Sequence, residues 1–252
     1  MVDFLPLLSS LQKASELNEA LHHFPRLEDL TLHSIALQNA SPSTLGRPPP
    51  KITTLRTNFE GDRAVATWLI QPQNSPLYLT SFSAQVESAE ELIAASRIVL
   101  AAGDSLNSLS MYIVHIALTA EAVQALDFQK TTQLQSLSLD LTFNNMFRDT
   151  EESAGPALIN VQPWLAQLQD SRMETITINI HYPIMRPSPY DILDIARGIN
   201  WQLIDDAFQP PAFPALTQIR FSLPALHADI HRLLPICHSR NIGLVADEYA
   251  ED

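Results

Sequence analysis

The sequence predicts an α/β solenoid, in which each repeat adds one strand to a parallel concave sheet of seven or eight strands, with helices or loops on the convex side. Three observations predict it: an apolar signature that recurs along the chain, columns of polar residues inside that signature, and too few glycines for the main alternative α/β fold. Units of this kind bury a core only when they stack, so the prediction concerns the whole chain.

The signature has the form L-x-x-L-x-L, with five strong copies and two weaker ones that begin at Ile52 and Leu79. The first residues of the seven copies are Leu27, Ile52, Leu79, Leu106, Leu134, Met173 and Leu216. The intervals between them are 25, 27, 27, 28, 39 and 43 residues, and a last strand is expected around residues 242–244. Of the 21 signature positions 20 are apolar, Thr57 being the exception, although apolar residues make up only 46% of the chain. The pattern predicts a strand with a buried face in every repeat.

Polar residues fill the columns that alternate with the apolar ones. The fifth position of the repeat reads Thr31, Arg56, Ser83, Ser110, Ser138, Thr177 and Arg220. The seventh position reads His33, Asn58, Gln85, Tyr112, Asp140, Asn179 and Ser222. Among these 14 residues only Tyr112 belongs to the apolar class. Such alternation is typical of a strand with one face in water, whereas a doubly wound sheet is covered on both faces and has strands that are apolar throughout.

Glycine is scarce and scattered. The chain has 6 glycines, and no two lie closer than 15 residues apart. Phosphate-binding loops need clustered glycines, so the G-x-G-x-x-G and P-loop patterns are excluded, as is the G-x-S-x-G nucleophile motif. The doubly wound fold commonly carries such a loop, and its absence favours the solenoid. We therefore predict no catalytic residues, no cofactor and no enzymatic activity.

The composition restricts the partners further. The net charge of −13 argues against a nucleic-acid partner and against binding to anionic lipid, because both need surplus Lys and Arg. Cys237 is the only cysteine, so there is no disulfide framework. No run of 18 apolar residues occurs, and the beginning of the chain carries Asp3 where a signal peptide would be basic. We expect a protein of the cytoplasm or nucleus with no membrane partner.

We expect a single domain over residues 1–252. Residues 1–26 are predicted to form a helical cap or partial repeat, residues 27–246 the repeats, and residues 247–252 an acidic tail. Within the repeats, Ser88 and Glu91 have the spacing of a capping box, which predicts a helix that begins there and ends near Gly103.

The signature at this spacing resembles leucine-rich repeats of the ribonuclease-inhibitor-like length class, from residue 27 to about residue 246. The family's usual Asn or Cys at the ninth position is missing, so its asparagine ladder is not expected. The ninth residues are Ile35, Glu60, Glu87, Val114, Thr142, His181 and Pro224. Near the C-terminus the segments Trp201-x-x-Ile204-Asp205, Phe213-Pro214-Ala215-Leu216 and Leu234-Pro235 resemble the closing repeats of fungal F-box proteins.

This resemblance implies a non-enzymatic interaction module, and it suggests the substrate-recognition part of an F-box-like ubiquitin-ligase receptor. In that family an F-box of about forty residues docks on a cullin-ligase adaptor, whereas only 26 residues precede Leu27 here. The expectation is therefore a protein partner on the concave face and weak or no capture of the adaptor. A scaffold unrelated to ligases and a divergent fragment without a partner remain as alternatives.

The polar columns supply the candidate binding residues. Arg56, Tyr112 and Arg220 are of the side-chain types that dominate interface hot spots. The full candidate set is Arg56, Phe59, Gln85, Tyr112, Asp140, Asn179 and Arg220. The competing interpretation is that these columns are only the solvated face that every such sheet needs.

The rival hypothesis is an enzyme or metal-binding protein with a loop site around the C-terminal histidines. His227 and His231 have helical spacing, and Cys237-His238 follows. Pro235 should end the helix between the two pairs, so we predict no metal site. The adjacent carboxylates Asp205-Asp206 are expected at a solvated helix end. The three tryptophans are expected to pack in the interior, and they are Trp68, Trp164 and Trp201.

Overall fold

The computed structural model describes residues 21–32, 52–58, 67–70, 77–114, 126–142, 161–181, 200–222 and 230–246, apart from positions 22, 25, 68, 129, 169 and 170. The strands are β1 (Asp29–Leu32), β2 (Thr54–Asn58), β3 (Ser81–Val86), β4 (Ser108–Val114), β5 (Ser136–Thr142), β6 (Thr175–His181), β7 (Gln218–Ser222) and β8 (Gly243–Ala246). The helices are α1 (Ala89–Ala102), α2 (Val161–Gln167), α3 (Trp201–Asp206), α4 (Ile230–Leu233) and α5 (Pro235–Ser239), and a 3₁₀ turn spans Gly103–Ser105. Most of the predicted cap and the acidic tail lie outside these ranges.

All eight strands form one parallel sheet in the order of the sequence, from β1 to β8. Every neighbouring pair is parallel, and β1 and β8 lie at opposite ends, so the sheet is not closed into a barrel. A doubly wound sheet would reverse its strand order at a switch point. The sequential order instead confirms the predicted α/β class and the parallel sheet with one strand per repeat.

The pairing register reproduces the columns of the repeat. Leu109 of β4, for example, pairs with Phe82 of β3 and with Leu137 of β5. The fourth position of every repeat is joined in this way across the sheet, through Leu30, Leu55, Phe82, Leu109, Leu137, Ile176, Ile219 and Leu244. The two weaker signature copies therefore form strands β2 and β3 as predicted. Thr57, the polar exception, lies in the buried column and is itself buried.

One face of the sheet packs against the helices. The apolar strand residues and the helix residues Leu92, Ile98 and Val99 belong to a single buried cluster. Trp164 and Trp201 are buried in the same cluster, as predicted. Trp68 lies outside the described residues.

The capping box of α1 is confirmed with one difference. Ser88 is the N-cap, and its side chain accepts the N–H of Glu91 at 3.2 Å. The carboxylate of Glu91 accepts the N–H of Glu87 at 2.6 Å, one residue before the N-cap. The helix ends at Gly103, whose φ of 52° favours glycine, as the sequence predicted.

A repeated hydrogen-bond pattern joins the repeats at the edge of the sheet where the strands begin. The carbonyl of the second repeat position accepts two N–H groups of the next repeat, as Thr80 does from Asn107 and Ser108 at 2.9 and 3.0 Å. We call this pattern the carbonyl ladder. The carbonyls that accept two such bonds belong to Glu28, Thr53, Thr80, Asn107, Gln135 and Glu174. Three threonine hydroxyls add a bond to the same ladder, and they belong to Thr53, Thr80 and Thr217. The sequence predicts no asparagine ladder, and in the part of the chain described backbone groups make this connection between repeats.

Candidate functional site

The face of the sheet opposite the helices carries the fifth and seventh columns of the repeat, and we call these two columns on β1 to β7 the open face. Every described residue in them is half-buried or exposed, whereas the alternating strand positions are buried. Side chains of successive strand residues point to opposite faces, so this alternation distinguishes the two faces. The open face is a polar surface that crosses the sheet.

Arg56 and Arg220 lie near the two ends of the open face. Arg56 is exposed on β2 and Arg220 is exposed on β7. Both belong to the fifth column, and the register joins them through Ser83, Ser110, Ser138 and Thr177. The small side chains between them leave the two guanidinium groups as the largest members of that column.

Tyr112, Asp140 and Asn179 are register neighbours in the seventh column, on β4, β5 and β6. The side-chain amide of Asn179 donates to Oδ1 of Asp140 at 2.6 Å, and the hydroxyl of Ser138 donates to Oδ2 at 3.4 Å. These bonds fix the carboxylate of Asp140, whose register partner on the neighbouring strand is Tyr112. The structure thus brings three of the candidate residues together at the centre of the sheet.

A further candidate lies next to this group. Gln85 lies on β3 beside Tyr112, and its amide donates to the carboxylate of Glu87 at 2.8 Å. Phe59 lies outside the described residues. The open face therefore contains six of the seven predicted residues, in two rows that follow the register.

The C-terminal histidines contact each other in a way that the sequence did not predict. Pro235 does separate α4 from α5, yet the exposed rings of His231 and His238 lie 4.9 Å apart between centroids. Cys237 is buried, whereas both histidines are exposed, and its backbone N–H donates to Asp205. Within the described ranges no group of three or more His, Cys, Asp or Glu side chains could hold a metal ion. His227 lies outside those ranges.

The expectation of a solvated Asp205-Asp206 pair is wrong for one of the two residues. Asp206 is exposed, whereas Asp205 has 0% of its surface exposed. The Asp205 carboxylate accepts the N–H groups of Ile236 and Cys237 at 2.9 and 3.2 Å. Sequence reasoning missed this role because the partners lie 31 and 32 residues further along the chain.

No protein-family model matches the chain, and no curated protein matches it significantly. None of the helices in the described ranges has the length and apolar character needed to cross a membrane. The open face is therefore the feature of the molecule that bears on its function.

Proposed function

We propose that the chain is a leucine-rich-repeat solenoid that binds a protein partner through the open face. The observation that carries the proposal is this polar face on a sequentially ordered parallel sheet, with exposed Arg56 and Arg220 on either side of Tyr112. Stacked repeats commonly use an open concave sheet as an extended binding surface. The horseshoe curvature of such solenoids is part of the proposal.

The chemistry of these side chains supports a protein partner over a small molecule. Arg and Tyr combine a large contact area with hydrogen bonding, which is why they dominate interface hot spots. Small-molecule sites are concave pockets lined mainly by apolar groups, whereas the described residues of the open face are largely Ser, Thr, Asn and Gln. A broad polar surface of this kind fits a partner that covers several strands.

As a more specific form of the proposal, the chain acts as the substrate-recognition part of an F-box-like ubiquitin-ligase receptor. Its support is the likeness of the segment from Trp201 to Leu244 to the closing repeats of fungal F-box proteins. The described residues of this segment form α3, β7, α4, α5 and the beginning of β8 at one end of the sheet. The alternative is a scaffold that uses the same face without any ligase.

Affinity capture from a cell lysate tests the general proposal. The variant Arg56→Ala/Tyr112→Ala/Arg220→Ala should lose partners that the wild-type protein retains, as read by quantitative mass spectrometry. A matched control is Arg97→Ala/Tyr78→Ala/Arg172→Ala, which removes the same residue types from exposed positions outside the open face. Equal thermal midpoints for the variants would show that folding is intact. Retention of every partner by the open-face variant would refute the proposal.

Copurification with the cullin adaptor subunit distinguishes the ligase receptor from the scaffold. A stable complex with the adaptor supports the ligase receptor. Capture of partners through the open face without any adaptor supports the scaffold. Neither outcome tests whether the open face is the binding surface, which is the purpose of the alanine variants.

A further inference from the structure

We infer that the open face recognises an extended partner segment in which a lysine or arginine lies between two acidic residues, crossing the strands from β2 to β7. This inference rests on the proposed function, because it names the partner of the same surface. Two observations support it: the order of the charged residues across the open face, and the hydrogen bonds that fix the carboxylate of Asp140.

The charges on the open face alternate across the sheet. From β2 to β7, the open-face residues that are charged at neutral pH are Arg56, Asp140 and Arg220. They lie on the second, fifth and seventh strands, and the exposed carboxylate of Glu87, which accepts the Gln85 amide just after β3, is a second negative group between the two positive ones. A segment complementary to this order carries a cation in the middle and an anion on each side.

The centre of the face is arranged for a cation. Asn179 and Ser138 both donate to the Asp140 carboxylate, which fixes its position and leaves it half-exposed. Tyr112 is its register neighbour on β4, and an aromatic ring beside a carboxylate favours an ammonium or guanidinium group through its π face. The central position therefore accepts lysine or arginine.

The spacing of the strands sets the spacing of the partner's charges. Neighbouring strands are about 4.8 Å apart, which places Arg56 about 14 Å and Arg220 about 10 Å from Asp140 across the strands. An extended segment rises about 3.3 Å per residue. Asp140 also lies two residues, about 7 Å, further along its strand than the column of the two arginines, so the separations are about 16 and 12 Å. The two acidic residues of the partner should thus lie about five residues to one side of the cation and about three or four to the other.

The charge of the whole chain makes this pattern selective. The net charge of −13 repels a uniformly acidic segment, and the two arginines repel a uniformly basic one at their ends of the face. A segment with mixed charges in the complementary order avoids both penalties. Repulsion of the wrong partners is how charged interfaces obtain specificity.

Selection from a displayed library of random 16-residue peptides tests the inference. Peptides enriched on the wild-type protein should carry acidic, basic and acidic residues in that order, at the spacings above. The charge-reversed variant Arg56→Glu/Asp140→Lys/Arg220→Glu should enrich the opposite order. Absence of enrichment, or the same enriched sequences on both proteins, would overturn the inference.

A synthetic peptide from the wild-type selection gives a second measurement. It should lose at least tenfold in affinity for the charge-reversed variant, and exchanging its acidic and basic residues should restore binding. The control Arg97→Glu produces the same net change in charge on α1, away from the open face, and should bind the original peptide as the wild type does. Equal losses in both variants would overturn the inference.

The outcomes separate this inference from the proposal on which it rests. If the alanine variant of the open face loses lysate partners but the selection yields no alternating charge order, the face binds proteins and the inference fails alone. If the alanine variant retains every partner, the proposed function fails, and any peptide order would then need to be traced to another surface.

Discussion

The carboxylate of Asp205 accepts the backbone N–H of Ile236 at 2.9 Å, across 31 residues of sequence. The same side chain accepts the N–H of Cys237, so a fully buried charge caps the beginning of α5. The guanidinium of Arg240, at the other end of α5, donates to the carbonyls of Phe208 and Phe213. These contacts fasten the last repeat to the one before it.

Asp205→Asn is expected to lower the free energy of unfolding by about 2 kcal/mol, because a hydrogen bond to a charged acceptor is lost and a buried amide group gains no acceptor. Urea unfolding would measure the change. The matched control is Asp206→Asn. The exposed Asp206 carboxylate accepts hydrogen bonds from the side chains of Gln202 and Gln209. Its substitution should change stability by no more than about 0.5 kcal/mol. Equal effects of the two substitutions would contradict the capping role.

Cys237 is expected to resist thiol reagents in the folded protein. Burial, together with the hydrogen bond to Asp205 and the charge of Asp205, raises the pKa of its thiol well above the usual range. The unfolded chain releases this proton near pH 8.5, so the folded state binds more protons above that pH. Stability should therefore fall by roughly 1.4 kcal/mol per pH unit above it.

Unfolding measured between pH 9 and pH 10 checks the sign and the slope. Cys237→Ser is close to the native side chain in size but does not titrate in this range, so the fall of its stability with pH should be smaller by the contribution of one proton. A fast reaction of the native thiol at pH 8 would show that Cys237 is accessible and that its burial is wrong.

Ser88→Ala should destabilise α1 at its N-terminus. The substitution removes the acceptor of the Glu91 N–H, and the loss of such a cap costs about 1 kcal/mol. Ser83→Ala, on the half-buried open face of β3, is a suitable control and should cost less than about 0.5 kcal/mol. Chemical denaturation of both variants would test the difference, and a neutral Ser88→Ala would argue against the capping box.

Two neighbours on β4 test the assignment of the sheet faces. Leu109 is 1% exposed and packs in the core, so Leu109→Ala should cost about 2 to 5 kcal/mol. Ser110 is half-buried on the open face, and Ser110→Ala should be within about 0.5 kcal/mol of the wild type. A reversal of this order would mean that the faces are exchanged.

Much of the sheet could be predicted from the sequence because the residues that determine each strand are close together and recur at the same positions of every repeat. The alternation of Leu109, Ser110 and Met111 assigns the two faces of β4 without any knowledge of the neighbours, and the constant position of the signature gives the register. The capping box was predictable for the same reason, since Ser88 and Glu91 are three residues apart.

The contacts that escaped prediction join residues that are far apart in sequence. Nothing near Asp205 indicates that its carboxylate meets the N–H of Ile236, and the contact of His231 with His238 requires the turn between α4 and α5. The bond from Asn179 to Asp140 spans 39 residues and follows only from the register. Aligning the seventh column would have suggested that pair, since opposite strand positions in one column become neighbours.

Because of the carbonyl ladder, the register between neighbouring strands does not depend on the number of residues in a repeat. Thr53 and Thr217 make the same bonds to the preceding repeat, although the first interval is 25 residues and the second is 43. Extra chain between strands therefore does not shift the registration of the sheet. The connecting segments are positions where chain length can change, by evolution or by engineered insertion, while the order of residues on the open face stays the same.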